Sequence, residues 1–117
     1  MDRLKRRQDF VAASKATSQA MPTVVVQVRV RNDGKPVRIG FTCTKKLGNA
    51  VVRNHIKRRL REAARLSLPK IIQQECDYVL IGRVKTATKP FALLQSDLIL
   101  AVRKLHETTI KDDHATR

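Results

Sequence analysis

The most informative part of this chain is residues 45–65, which read KKLGNAVVRNHIKRRLREAAR. Wound at about 100° per residue, the apolar residues of this segment gather into one arc of about 120°. They are Val52, Ile56, Leu60, Ala63 and Ala64. A second arc of about 100° on the far side is polar and cationic. It contains Asn54, Lys57, Arg58, Arg61 and Arg65. The pattern predicts an amphipathic helix with one buried face and one row of cations, and with Arg53 and Arg59 at the borders of the apolar stripe.

This one-sided charge has two interpretations. A charged helix face usually serves solubility, but such a face mixes both signs, whereas Glu62 is the only acid in residues 45–65. Cations at this spacing repel one another unless an anion neutralises them. The whole chain has the same imbalance, with 25 Lys and Arg against 10 Asp and Glu and a formal net charge of +15. We therefore interpret the face as a binding surface for a polyanion such as a nucleic acid backbone.

The length of 117 residues predicts a single domain, 1–117, with frayed ends at about 1–8 and 111–117. No run approaches 18 apolar residues, and no apolar signal core follows the first basic residues. We therefore expect a cytoplasmic protein without a membrane partner. Cys43 and Cys76 lie far apart, and the three histidines (His55, His106 and His114) lack the spacing of metal ligands. We expect buried, reduced thiols and no metal site.

The remaining elements follow from alternation, helical spacing and turn residues. They are, in chain order, a helix over about 9–15, a loop over 16–22, strands over 23–31 and 36–44, the basic helix to about residue 68, a short helical stretch after Pro69, a strand over 78–82 and a final helix from Pro90. Asn32-Asp33-Gly34 predicts a hairpin turn between the first two strands, and Asn49 is predicted to cap the basic helix. The strand over 78–82 is apolar on both faces, as a covered strand is.

These elements predict an α+β two-layer fold of order α-β-β-α-β-α with a small mixed sheet and helices on one face. The basic helix and the final helix are expected to cover the sheet face that carries Val24 and Ile39. The other face is too polar for a second core, so an open cleft with a basic rim is predicted there, beside the short helix of Phe10. Its outward residues are Val25, Gln27, Arg29, Arg38, Thr42 and Thr44.

The run KKLGNAVVRN at 45–54, followed by Lys57-Arg58 and Arg61-Glu62, resembles the central motif of the bacterial ribonuclease P protein subunit. The resemblance extends to RLKRRQDF at 3–10 and DYVLI at 77–81, so it covers nearly the whole chain. It implies a small α/β domain in which a left-handed crossover, contrary to the usual rule, contains the basic helix. It also implies a subunit that binds a large catalytic RNA and helps it remove the 5′ leader from precursor tRNA.

The resemblance also implies roles for individual residues. The residues implied to contact the catalytic RNA are Arg53, Asn54, Lys57, Arg58 and Arg61, with Arg65 one turn further on. The implied leader-binding cleft contains Phe10, Val25, Gln27, Thr42, Thr44 and Lys46. The RNA would perform the hydrolysis and hold most of the Mg²⁺, so no catalytic or metal-ligating residue is implied in this chain. The implied assembly is one protein per RNA in the bacterial cytoplasm.

Three positions depart from the pattern of that family. Members commonly have Arg where this chain has His55, and many have aromatic residues where Ser14 and Gln27 stand. We therefore expect leader binding here to depend less on stacking and more on hydrogen bonds and charge. Phe10 has a second interpretation, as a core residue that holds the first helix against the sheet.

The acidic residues argue against a nuclease that acts without RNA. Such an enzyme needs carboxylates grouped around metal ions or a positioned general base, but the ten acids are scattered. Glu75 and Asp77 form the only close pair outside Asp112-Asp113, and we interpret them as capping or solvent-facing. Two alternatives therefore stand beside the ribonuclease P subunit. One is a ribosomal or nucleoid-type protein that only binds nucleic acid, and the other is a free-standing metal-dependent nuclease, which lacks ligands.

Overall fold

The computed structural model describes the backbone of residues 2–115 and the side chains of residues 2–108. Its elements are β1 (Asp2–Arg3), α1 (Arg7–Ser14), β2 (Thr17–Ala20), β3 (Val24–Val30), β4 (Arg38–Thr42), a 3₁₀ turn (Lys45–Leu47), α2 (Ala50–Ser67), β5 (Cys76–Gly82), α3 (Val84–Thr88) and α4 (Phe91–Ala115). The strands form one sheet in the order β1-β4-β5-β3-β2. β4 is parallel to β1 and β5, whereas β3 is antiparallel to β5 and β2. The predicted α+β fold with a small mixed sheet is confirmed.

Strand β5 lies at the centre of the sheet because it is apolar on both faces. All of its residues are buried except Ile81, which is half-buried. On one face, α2 and α4 cover a core that includes the predicted Val24 and Ile39. This core also contains Tyr78 of β5, whose hydroxyl accepts a hydrogen bond from the Gln73 backbone N–H and lies 2.6 Å from Nε2 of His106 on α4.

Helix α1 packs on the opposite face of the sheet from α2 and α4, which is the face beside which the short Phe10 helix is predicted. Its Ala13 joins Leu4 and Val79 in a second small core. Residues 2–8, for which fraying is predicted, contain β1. The backbone N–H of Asp2 donates to the Val37 carbonyl at 3.1 Å, and that of Leu4 donates to the Ile39 carbonyl at 2.9 Å. The side chains of the other predicted frayed end, 111–117, lie outside the described residues.

The predicted hairpin between β3 and β4 is wrong, because β5 lies between these two strands. The turn chemistry itself is present: Asn32 and Gly34 both have positive φ, 55° and 71°. Side chains rather than a strand ladder hold this loop. Gly34 donates its backbone N–H to Glu75 Oε1 at 2.6 Å, and Val37 donates to Gln74 Oε1 at 3.0 Å. The central place in the sheet buries both faces of a strand, so it stabilises the doubly apolar β5 more than it would stabilise β4.

Three further differences concern short elements. The predicted loop at 16–22 contains β2, an edge strand whose sequence TSQA has no apolar alternation to reveal it. The short helical stretch predicted after Pro69 is a turn, in which Ile71 and Ile72 both donate to the Leu68 carbonyl. Helix α3 has only five residues, too few for a periodic signal.

A buried carboxylate ties together the ends of three strands. Asp77 of β5 is fully buried, and Arg38 of β4 donates two 2.8 Å hydrogen bonds to it. Arg31 and Arg29 approach the same carboxylate at 3.4 and 3.6 Å. Asp9 of α1 completes the network with contacts of 3.6 Å to Arg29 and 3.3 Å to Arg38. The interpretation of Asp77 as capping or solvent-facing is therefore wrong. The hydrogen bonds from Arg38 are short and charge-assisted, and they raise the pKa of that guanidinium.

Removing the Asp77 charge should destabilise the fold strongly. Asp77→Asn leaves Arg31, Arg38 and Arg29 without their shared anion, and loss of one partner in a buried ionic network costs about 3–5 kcal/mol. Urea denaturation measures this cost. The matched control is Glu62→Gln, which removes an exposed ion pair with Arg65 and should leave the curve essentially unchanged. Equal effects of the two substitutions would contradict the structural role of the network.

Candidate nucleic-acid interface

Helix α2 begins where the sequence predicts it. The side chain of Asn49 accepts a hydrogen bond from the Val52 backbone N–H at 3.0 Å, which confirms the N-cap. Ile56 and Leu60 of the predicted stripe are fully buried, together with Ala63 and Ala64. Val52 is 38% exposed, since it lies in the first turn, before the helix reaches the sheet. The opposite side of α2 therefore faces outward.

The six residues implied to contact the catalytic RNA differ in their exposure to solvent and in whether their side chains already have a partner within the protein. Exposed members are Asn54, Arg58, Arg61 and Arg65, and half-buried members are Arg53 and Lys57. Arg65 is paired with Glu62, and Arg53 donates from Nε to the Gly48 carbonyl at 3.3 Å. Within residues 2–108, no hydrogen bond or ion pair engages the side chains of Lys57, Arg58 or Arg61. These three cations, spaced over little more than one turn, are the part of the row best able to bind phosphate.

Arg59, at the border of the stripe, turns inward. Its Nε donates to the Thr86 carbonyl and its Nη2 to the Lys89 carbonyl, both at 2.7 Å. Its guanidinium carbon also lies 5.4 Å from the centre of the Phe91 ring. Arg59 thus joins α2 to α3 and to the start of α4, with two of its three guanidinium nitrogens engaged within the protein. Its border position on the helical wheel is the sequence signal for this difference.

The predicted cleft lies on the α1 side of the sheet. Phe10 of α1 is half-buried and sits directly over Gly40 of β4, where a Cβ would come within 2.6 Å of its Cε1 and Cζ atoms. Phe10 also packs against Leu4, Ala13 and Val79. The ring is therefore a docking contact of α1, while its partial exposure leaves part of it accessible. Both interpretations of Phe10 have support in this geometry.

The other implied cleft residues fall into two groups. Val25 and Thr42 flank Ile81 across the sheet, and Gln27 lies one row away beside Val79. Thr44 and Lys46 lie beyond the end of β4 and are exposed. A cavity of about 540 Å³ opens next to the first group. Of the six implied residues it is lined by Val25 alone, and its other walls are Ala20, Pro22, Leu47, Ile81, Gly82, Arg83, Val84 and Lys85.

The basic rim of the cleft is not the predicted one. Arg29 and Arg38 belong to the ionic network of Asp77 and Asp9, so their charge is already neutralised. The cations that line the cavity are instead Arg83 and Lys85, which follow β5 directly. Arg83 is oriented by donating from Nη1 to the Met21 carbonyl at 2.8 Å. Two basic residues just after a buried strand were the sequence signal for this part of the rim.

The described side chains contain no group of three or more His, Cys, Asp or Glu residues placed to hold a metal ion. None of the helices in the described part of the chain has both the length and the apolarity needed to cross a bilayer. Of the pair Glu75 and Asp77, the first caps the 32–37 loop and the second is buried among arginines. The surfaces of interest are therefore the outward face of α2 and the cleft.

The contact between Phe10 and Gly40 can be tested by paired substitutions. Gly40→Ala should destabilise the protein by about 1–3 kcal/mol, because the new methyl group overlaps the Phe10 ring. Adding Phe10→Ala removes the obstacle, so the double variant should lose less stability than the sum of the single variants. Thermal and urea denaturation of the four proteins measure this coupling. Strictly additive losses would mean that α1 is not docked through this contact.

The chain is similar to known proteins over nearly its whole length. Residues 1–106 match the protein family described as Ribonuclease P. The ribonuclease P protein component of Ruegeria pomeroyi is 53% identical over 106 residues, covering 88% of this chain and 85% of the relative. That of Caulobacter vibrioides is 49% identical over 105 residues, covering 89% and 70%.

Solved structures agree with these relatives. The RNase P protein of Staphylococcus aureus superposes with a TM-score of 0.72 at 30% identity, covering 88% of this chain and 94% of that one. The RNase P protein of Thermotoga maritima gives a TM-score of 0.70 at 28% identity, covering 88% and 97%. The sequence match, the shared fold and the basic helix lead to one assignment. This chain belongs to the family of bacterial ribonuclease P protein components.

Proposed function

We propose that this subunit of the ribonuclease P ribonucleoprotein binds the catalytic RNA through the outward face of α2 and the 5′ leader of precursor tRNA through the cleft beside α1. The observation that carries the proposal is the position of the two surfaces on opposite faces of one sheet. Helix α2 packs on the face of Val24 and Ile39, and α1 packs on the face of Val79. The protein can therefore contact two RNA molecules at once without either excluding the other.

Electrostatics explains what such a subunit contributes. Two RNA backbones brought together repel each other, and a body with a formal charge of +15 between them lowers that repulsion. Lys57, Arg58 and Arg61 would bind phosphates of the catalytic RNA with charge-assisted hydrogen bonds. On the other side, Arg83 and Lys85 would attract the leader backbone into the cavity beside Val25.

We further propose that the RNA carries out the hydrolysis and holds the Mg²⁺ ions. The described side chains contain no group of three or more carboxylates that could hold a metal ion, and the carboxylates of Asp77 and Asp9 are paired with arginines. The role proposed for the protein is to position the leader and to neutralise charge around the phosphate that reacts. A single basic helix favours one protein per RNA, and the bacterial relatives favour the cytoplasm as the site of action.

A cleavage assay separates this function from its alternatives. The ribonuclease P subunit should support removal of the leader only when its catalytic RNA is present. A ribosomal or nucleoid-type protein, which the family relationship does not favour, would give no cleavage in either case. A metal-dependent nuclease would cut precursor tRNA without the catalytic RNA, and that result would contradict the proposal.

The α2 face predicts a salt dependence. Changing Arg58 and Arg61 together to Ala should reduce the slope of log affinity for the catalytic RNA against log salt by between one and two units, because each lost phosphate contact removes about 0.7–0.9. Circular dichroism should show an unchanged fold, since both side chains are exposed. Binding titrations at several salt concentrations provide the measurement. An unchanged slope would mean that Arg58 and Arg61 contact no phosphate and that this face of α2 serves only solubility.

The cleft predicts a difference between substrates. Phe10→Leu keeps an apolar side chain over Gly40 but removes the ring, so it should retain most of the folding stability. If Phe10 stacks on a leader base, precursor tRNA should bind the holoenzyme more weakly by about 1–3 kcal/mol. Mature tRNA, which has no leader, should bind as before, and so should the catalytic RNA. Equal losses for precursor and mature tRNA would remove Phe10 from the leader site.

A further inference from the structure

A narrow cationic slot lies between β1 and α2, at the edge of the sheet. Its volume is about 150 Å³, room for about five water molecules at about 30 Å³ each. It is lined by Asp2, Arg3, Ile39, Phe41, Arg61, Ala64 and Arg65. The inner side of this slot, formed by Ile39, Phe41 and Ala64, is apolar, and the outer side is charged. We call it the Arg3–Arg61 slot.

Two arginines from different elements share one aromatic ring in this slot. The guanidinium carbon of Arg3 on β1 lies 5.6 Å from the centre of the Phe41 ring, and that of Arg61 on α2 lies 6.0 Å from it. Contact with the ring restricts both side chains while leaving the N–H groups at the guanidinium edges able to donate. The two side chains are therefore partly ordered before a ligand binds, and binding costs less conformational entropy.

Apart from their contact with the ring, these two guanidinium groups have no partner in the described part of the chain. Neither Arg3 nor Arg61 makes a side-chain hydrogen bond or an ion pair with another described residue. Arg65, at the rim of the slot, is by contrast paired with Glu62. The single acid in the lining is Asp2, which is exposed and forms no ion pair within residues 2–108. The slot thus holds two free planar cations around a pocket of limited size, which suits a single tetrahedral anion.

The position of the slot indicates which RNA supplies that anion. Arg61 belongs to the same outward row of α2 as Arg58 and Lys57, so the slot continues that surface onto the sheet edge. Phe41 packs against the α2 side of the sheet, whereas Phe10 and the cleft lie on the other side. The catalytic RNA, which the proposed function assigns to α2, is therefore the nearer partner, and the leader is the more distant one.

We propose that Arg3 and Arg61, both held against Phe41, form one binding site for a single backbone phosphate of the catalytic RNA. The site extends the RNA interface from α2 to the N-terminal strand β1. It rests on the proposed function and adds to it a strand and an aromatic residue that the basic helix alone does not include. Because two arginines share one phosphate, their contributions to affinity depend on each other.

The experiment is a double-mutant cycle on affinity for the catalytic RNA. Arg3→Ala should weaken binding by about tenfold or more, the effect of losing a hydrogen bond to a charged group. The same change made in an Arg61→Ala background should cost far less, because the shared site is already broken. Arg3→Lys should restore the salt slope but not the full affinity, since an ammonium group lacks the planar fork. Phe41→Leu should also weaken binding without any change in charge, with its melting temperature measured in parallel.

Two control variants decide between explanations. Arg103→Ala removes the same charge from an exposed position on α4 and should change affinity little; a loss equal to that of Arg3→Ala would overturn the slot in favour of general attraction. Arg58→Ala tests the α2 face alone. Weaker binding by Arg58→Ala with no effect of Arg3→Ala would overturn the slot and leave the proposed function standing. No effect of either would contradict the α2 assignment as well.

Two further outcomes would also overturn the proposal. Additive losses for Arg3→Ala and Arg61→Ala would mean that the two arginines bind separate phosphates. The second outcome concerns the preassembled holoenzyme titrated with precursor tRNA. If Arg3→Ala weakened only that binding, and left affinity for the catalytic RNA unchanged, the slot would belong to the leader.

Discussion

The rest of this structure depends on one strand that is apolar on both faces. Tyr78 and Leu80 of β5 point into the core beneath α2 and α4, and Val79 lies on the other side beneath α1. Burial of apolar surface is the main favourable term in folding, so both faces of β5 require a cover. The basic helix covers one and the Phe10 helix covers the other. The two candidate RNA surfaces are on opposite faces because a single doubly apolar strand separates them.

The arginines of this chain divide into those that hold the fold and those that are left for a partner. Asp77 neutralises the cations at one end of the sheet, chiefly Arg38, and carbonyl groups of α3 and its following loop engage Arg59. Arg58 and Arg61 have no such partner among the described residues. The formal charge of +15 is therefore unevenly distributed. Positive charge is largely neutralised at the strand ends around Asp77, and it is concentrated on the outward face of α2. A polyanion bound to α2 would relieve self-repulsion that is local to that helix.

The parts of the fold that local sequence determines could be predicted. Asn49 caps α2 through a hydrogen bond with a residue only three positions further along the chain. The apolar stripe of α2 and the apolar run of β5 are likewise visible in the local sequence pattern. The pairing of distant strands could not be predicted, because a good turn at Asn32 does not reveal which strand will lie beside β3. Nor could the fate of Arg29 or Arg38 be read from the sequence. Their neutralisation requires Asp77, which reaches them only once β5 has been inserted between β3 and β4.

The scarcity of aromatic residues limits how this protein can bind RNA. Tyr78 is buried in the core, and Phe10 is half-buried over Gly40. Phe91 lies beneath one guanidinium group and Phe41 beneath two. Only Phe10 is therefore placed to stack on a base in the cleft, and the remaining contacts must come from charge and hydrogen bonds. Contacts to phosphate fix the position of an RNA but carry no sequence information directly. We therefore expect a subunit built in this way to bind leaders of different sequence with similar affinity, and to leave discrimination between substrates to the shape of the RNA.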